Sequence, residues 1–393
     1  MGEGCVDSLD GSTGRVRLTS DEERIRRLAA LRNGMRREGL EALVICGRSD
    51  LRFRGRVLYI SDVFQVTADC FVVLGLDGDP VFISTPVVGL GQAQLTTWAN
   101  EFRANAAPGE EIGKVLVERG LTNGAAGIVG LADAIAAEHL RQIAATVPTV
   151  RLHDATRLFE DVRQVKSAEE IANLRGTSAI FRKIFAGLEG ELRPGISEAD
   201  IAGGAARLAK LHGCRDVKTA MASTPFRAIS YGSNKRIEVD DLIMVWIETP
   251  GPTGYWLELR RCYTFGPVPP DVGRFWAVID EVWNAALNAI RPGVLASTVV
   301  AEASRVLAQA GYGLSEAGYA LHGIGADAIE GMWIPSNDRV LKENEVVSLH
   351  PGITFASEQE ARRLLFIGTT DNILVTPAGG ERLTYPSDSI VAL

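Results

Sequence analysis

Histidine is scarce in this chain, with five in 393 residues, and other shortages narrow what it can encode. No apolar run approaches the ~20 residues that a membrane-spanning helix requires. Positive charge is not in excess: 41 Lys and Arg against 49 Asp and Glu leave a net charge of −8. No basic stripe faces a phosphate backbone, so neither nucleic acid nor a membrane is expected as a partner. Cysteine is sparse too. Cys5, Cys46, Cys70, Cys214 and Cys262 are scattered, odd in number and never in CxxC spacing, which excludes a disulfide framework and a cysteine zinc site. Cys46 and Cys70 sit in apolar runs and read as small buried hydrophobes. The opening "MGEGCVDSLDGSTG" lacks the charged-then-apolar order of a signal peptide. Residues 1–20 read as a mobile lead-in, and the expected location is cytoplasmic.

What is present is ordinary globular text, 46% hydrophobic and 23% charged, long enough for two cores. "SDEERIRRLAALRNGMRREGLEALVIC" opens with Ser20 and acidic residues at a helix start, then leads through Gly39 into a strand. "DCFVVLGLDGDPVFIS" reads as a hairpin turning at Asp-Gly-Asp. Alternating elements predict an α/β domain over residues 21–162. "VRQVKSAEEIANLR", with Ser167 as N-cap, opens an α+β domain over residues 163–393.

Within that second domain two stretches echo one another. "LRPGISEADIAGGAARLAKLHGC" and "IRPGVLASTVVAEASRVLAQAGYG" each carry an Arg-Pro-Gly turn, a small polar cap and an Ala-rich helix, and their Pro-Gly pairs lie 98 residues apart. A domain of two related halves fits this echo, with the site expected in the seam; two ordinary turn–helix units would look similar.

Polar residues then stand where strands should be apolar: Glu248 in "VWIETPG", Glu258 in "YWLELRR", His322 in "LHGIG" and His350 in "VVSLHPGITF", where Pro351 ends the strand. Glu258 alternates with Trp256, so both share a face. A carboxylate in an apolar run must find a cation, a metal or a proton, and a structural pair with Arg260 or Arg261 would also satisfy Glu258. The glycines after His322 permit close approach of a ligand.

Taken in order, these motifs resemble the creatinase/aminopeptidase P/methionine aminopeptidase family, whose fold is called pita-bread. "VKSAEEIANLR" is similar to the entry of that family's catalytic domain. "GYWLELRRCYTFG" is similar to its Gly-Tyr-x-x-Asp-x-x-Arg-Thr strand, "LHGIGADAIEG" to its His-Gly-x-Gly loop, and "TTDNILVT" to its final Glu-Asp strand. The resemblance implies an α/β N-terminal domain, a pseudo-twofold pita-bread C-terminal domain and a homodimer. Peptidases of the family hold two metal ions with Asp, Asp, His, Glu and Glu. Here Trp246 falls at the first position, with Glu248 two residues on, Glu258 at the second and His322 at the third. His350 replaces the fourth ligand and Thr370, beside Asp371, the fifth. The second peptidase histidine falls at Ile329, and a further one at Ile229, where Tyr231 or Arg227 could substitute.

Imidazole does not bridge two cations as a carboxylate does, so a dinuclear cluster is not expected. The resemblance therefore implies a creatinase-like hydrolase or lyase without a cofactor. It would use His322, His350, Glu258 and Glu248 on a small cationic or zwitterionic substrate, walled by Trp246, Trp256, Tyr231, Glu330 and Trp333. Two alternatives are a single Zn, Fe or Mn ion held by Glu248, Glu258, His322 and His350 in a lyase or dipeptidase, and a non-catalytic binding protein.

Overall fold

Apolar runs bounded by turns build the centre of the first sheet, between two polar edge strands. Its strands are β1 (Ala42–Arg48), β2 (Asp69–Gly75), β3 (Val81–Ser84), β4 (Glu101–Ala104), β5 (Ala125–Val129) and β6 (Arg151–Asp154), ordered β4-β3-β2-β1-β5-β6. The computed structural model describes residues 18–64, 69–85, 96–315, 321–334, 338–350, 352–385 and 388–393, without the side chains of 332–334. Two units divide the chain between Gln164 and Val165, and this sheet belongs to the first. β2 and β3 pair antiparallel around the Asp-Gly-Asp turn. The helix Asp21–Glu38 is capped by Ser20, whose side chain accepts from the Glu23 N–H. Thr19 is also held, its hydroxyl 2.5 Å from Asp62 Oδ1, so the expected mobile lead-in is already ordered there. Residues 1–17 lie outside the described residues.

The second unit is α+β, as its sequence implies. Its long helices are Ala168–Glu189, Glu198–Leu211, Pro270–Ala289 and Ala296–Gln309. Ser167 and Glu170 form a reciprocal capping box on the first of these. The two echoed helices are each 14 residues long and start 98 positions apart, the spacing of the Pro-Gly pairs. Their caps differ. Ser197 caps the earlier helix, whereas the later one follows Leu295, which cannot cap it with a side chain, and Ser297 bonds Asp338 instead. The expected polar cap is therefore absent there.

The strands of this unit are β7 (Lys218–Ser223), β8 (Ile243–Pro250), β9 (Trp256–Thr264), β10 (Gly313–Leu314), β11 (Leu321–Gly323), β12 (Glu330–Ile334), β13 (Val346–Leu349), β14 (Ile353–Thr354), β15 (Asp371–Thr376), β16 (Gly379–Arg382) and β17 (Val391–Ala392). One sheet runs β17-β9-β8-β7 and another β12-β11-β13-β15-β16, with β10 and β14 as a separate pair. The two larger sheets meet where Arg260 of β9 bridges Thr370 beside β15. Asn372 clamps the junction: its Oδ1 accepts from the Glu258 N–H at 3.3 Å and its Nδ2 donates to the Glu258 carbonyl at 2.7 Å. Beneath lies a core that includes Met244, Cys262, Ile279, Trp283, Val347 and Ile373. Each such side chain contributes roughly 1.5–3 kcal/mol by burial, and Trp283→Ala should cost about 3–5 kcal/mol.

Candidate active site

Strand alternation places Trp246, Glu248, Glu258 and Arg260 on one face, because Glu248 lies opposite Glu258 and Trp246 opposite Arg260 in the β8–β9 ladder. From the other sheet, β11 supplies His322, paired in register with Ser348 of β13, and His350 follows the end of β13. Ligand atoms of Glu258, His322 and His350 all lie within 4.8 Å of one another.

Glu258 is the hub. It is 3% exposed, and its Oε2 accepts from Trp246 Nε1 at 3.0 Å. Its Oε1 lies 3.0 Å from His322 Nε2 and 3.7 Å from His350 Nε2. Burial alone would raise its pKa, but the adjacent imidazoles outweigh that and hold the carboxyl at about 2. No arginine pairs with it among the described residues, so the structural alternative of a pair with Arg260 or Arg261 does not occur. Arg261 turns instead to Glu189 and Asp388.

The two histidines differ in state. His322 Nδ1 lies 2.9 Å from the Gly323 carbonyl oxygen, an acceptor only, so Nδ1 carries a proton. Its Nε2 faces a carboxylate, and both contacts are satisfied by the imidazolium. Burial opposes that charge, but Glu258 outweighs it and the His322 pKa is raised. At His350 burial wins: its pKa falls to about 4, and its Nε2 is buried without a hydrogen-bond partner. The His350 ring stands 5.1 Å from that of His322 and 5.8 Å from that of Trp246, between centroids.

Glu248 is not free to join them. Its Oε1 accepts from Lys218 Nζ at 2.7 Å, and the same ammonium lies 5.4 Å from the Trp246 ring centroid. Burial, with the nearby Glu258 charge, raises the Glu248 pKa. Glu330 is likewise engaged. It pairs with Lys166 at 2.7 Å, both side chains almost fully buried, and accepts from the Asp327 N–H. Gly325 serves this packing rather than a ligand, since a Cβ there would come within 2.7 Å of Glu330 Oε2. Trp256 is buried on the Glu258 face, whereas Tyr231 is 74% exposed and is not brought to the cluster. The Trp333 side chain and Pro351 lie outside the described residues. Asp371 accepts from the Asn372, Thr384 and Tyr385 N–H groups and pairs with Arg382, which occupies it structurally.

The sequence motifs do not point to Lys218, and they offer Arg260 only as a partner for Glu258. A lysine in the strand text "VKTAMAS" was the available signal for the first. For Arg260 there was none, because its surroundings come from a segment over one hundred residues away.

Residues 172–377 match the model of Metallopeptidase family M24, and residues 27–165 that of the Creatinase/Prolidase N-terminal domain. The chain belongs to metallopeptidase family M24. "Probable dipeptidase PepE" of Mycobacterium tuberculosis is 31% identical over 230 residues, 57% of this chain. The chain spans about 60% of the length of the curated dipeptidases it first matches. Among solved structures, dipeptidase PepE from Mycobacterium ulcerans is 25% identical, with a TM-score of 0.76 over 95% of this chain and 99% of that one. The X-Pro aminopeptidase of Thermotoga maritima is 20% identical and shares the fold, with a TM-score of 0.79 over 93% and 99%.

The residues present do not fit two metal ions. An indole N–H already occupies Glu258 Oε2, Lys218 occupies Glu248, and Thr370 and His350 supply no bridging carboxylate. Glu258, His322 and His350 do fit a single ion, with the Gly323 carbonyl orienting the His322 ring.

Proposed function

We propose that the protein is a creatinase-like member of family M24. It would cleave a C–N or related bond in a small cationic or zwitterionic substrate by hydrolysis or elimination, using imidazole acid–base chemistry. The observation that carries this reading is the Trp246–Glu258 hydrogen bond at 3.0 Å. It puts a neutral donor against the oxygen that a second metal ion would need.

His350, neutral at pH 7 with a pKa of about 4, accepts a proton at Nε2 from the attacking water or from the substrate carbon. His322 donates its Nε2 proton to the departing nitrogen as the bond to it breaks. Glu258, fixed by Trp246, keeps the His322 charge in place between the two transfers. Proton transfers of this kind contribute about 10²–10⁴-fold. The Trp246 face adds attraction for a substrate cation.

Turnover of a panel of small zwitterionic amides and amidines, with and without chelator, tests the reading. Chelator-insensitive turnover is expected, and turnover abolished by chelation and restored by metal would overturn it. Homodimerisation, carried over from the resemblance, is tested by sedimentation at micromolar concentration.

A second reading is favoured by the 4.8 Å grouping of Glu258, His322 and His350 and by the PepE relatives: a single-metal dipeptidase. Those three side chains would hold the ion, which would activate water for peptide hydrolysis. A single stoichiometric ion in the purified protein, together with dipeptide turnover, selects it.

A further inference from the structure

We propose that Arg260 is the anchor for a substrate carboxylate, which narrows the substrate to an amino-acid-like zwitterion. This rests on the reading of the site as one for small cationic or zwitterionic compounds.

The carboxylates beside the cluster are already matched. Glu248 is taken by Lys218 and Glu258 by His322. Arg260 lies on the same strand face, two residues from Glu258 and opposite Trp246, yet no carboxylate among the described residues pairs with it. Its Nη2 donates to the Thr369 carbonyl at 3.2 Å, and its Nε is buried with no hydrogen-bond partner. A half-buried guanidinium with one neutral protein contact and a buried, unsatisfied Nε is costly to leave unmatched. The Thr370 hydroxyl, on the residue bridged to Arg260, is also buried and unpartnered.

The backbone around Arg260 makes room for this arrangement. Gly368 has φ +154°, and a Cβ there would stand 3.0 Å from Arg260 Nη2. Glycine at 368 therefore admits the guanidinium beside it. A carboxylate is the ligand whose charge and planar geometry complete a guanidinium with open donors. A substrate held there by its carboxylate, with its cationic end on Trp246, would present its central bonds to His322 and His350.

Thermal unfolding of the full chain decides the proposal. Glycine betaine is the carboxylate-bearing probe, and choline, at matched chloride, the control of similar charge head without a carboxylate. At about 0.1 M, well above a millimolar Kd, mass action should raise the wild-type Tm by several degrees with betaine and not with choline. Arg260→Met, which removes an unmatched, half-buried charge, should unfold no earlier than wild type and lose the betaine response. Gly368→Ala, which keeps the charge but crowds it, should weaken that response about tenfold. Equal effects of betaine and choline on wild type, no effect of either, or a betaine response retained in Arg260→Met would each overturn the proposal. So would a large fall in Tm for Arg260→Met, which marks a structural arginine. A chelator-sensitive turnover alongside an Arg260-dependent betaine response would instead remove only the metal-free reaction.

Discussion

Trp246 donates its indole N–H to Glu258 Oε2 at 3.0 Å across adjacent strands. A hydrogen bond to a charged acceptor is worth about 1.5–3 kcal/mol. Trp246→Phe, which keeps the ring and deletes the donor, should therefore lower kcat by about 10–100-fold with little change in fold. Circular dichroism and turnover measured side by side check this. Full activity in the variant would mean that the bond does not orient the carboxylate.

Metal content follows from the same pair. Elemental analysis of wild type should find fewer than two equivalents of tightly bound divalent ion. The triple variant Trp246→Asp, His350→Glu and Thr370→Glu places carboxylates at the three positions where the family resemblance expects them and should gain metal. Two equivalents in wild type would refute the ligand analysis.

His350 carries an unpartnered Nε2 at the cluster. His350→Ala should reduce kcat by about 10²–10⁴-fold without unfolding the protein. His350→Glu should not restore the rate, since the new carboxylate is a different base in a site already holding Glu258. Rates measured with and without Zn, Fe and Mn separate the two readings, because metal-dependent recovery belongs only to the single-ion one. Wild-type rates in both variants would leave His350 a structural residue.

Glu345 offers a pH test away from the site. It is 4% exposed, with a buried Oε1 that lacks a partner, and burial raises its pKa to about 7 despite Lys166 and Lys342. A carboxyl whose folded pKa exceeds its unfolded value near 4.5 binds its proton more tightly in the native state. Its contribution is present below pH 4.5 and is lost as pH rises through about 7. Glu345→Gln should thus be more stable than wild type at pH 8 by roughly 1–3 kcal/mol, with the gap closing towards pH 5. Urea unfolding at the two pH values measures it, and a pH-independent difference would contradict it.

The Lys166–Glu330 pair is buried on both sides. Lys166→Met should cost about 3–5 kcal/mol by stranding the Glu330 charge, and adding Glu330→Gln should recover part of that loss. A Lys166→Met variant with unchanged Tm would show that the carboxylate has other sufficient partners.

How much of this was readable from sequence depends on the range of the forces involved. Local signals were: Ser20 and Ser167 cap helices as their spacing indicates, and the Asp-Gly-Asp turn joins β2 to β3. Glu258, His322 and His350 stood out as polar residues in apolar text, and the structure brings them within 4.8 Å. Their partners were not readable. Lys218 reaches Glu248 from a neighbouring strand, and Lys166 reaches Glu330 from 164 residues away. Strand pairing decides the first, and long-range packing of the segment just before the Ser167 cap decides the second; composition encodes neither. Glu330 and Tyr231 show the converse: suitable chemistry in suitable motifs, one locked in an ion pair and the other facing solvent.

The 98-residue offset between the echoed helices has a consequence for how the chemistry is inherited. Glu248, Glu258 and Arg260 come from strands of the earlier half, His322 from a strand of the later half and His350 from just past the end of another. The scaffold is repeated, but the cluster's side chains are divided, with carboxylates and Arg260 on one side and imidazoles on the other. Neither half alone carries the whole grouping of Glu258, His322 and His350. A substitution within one half therefore alters the carboxylate side or the imidazole side of the cluster and leaves the other in place.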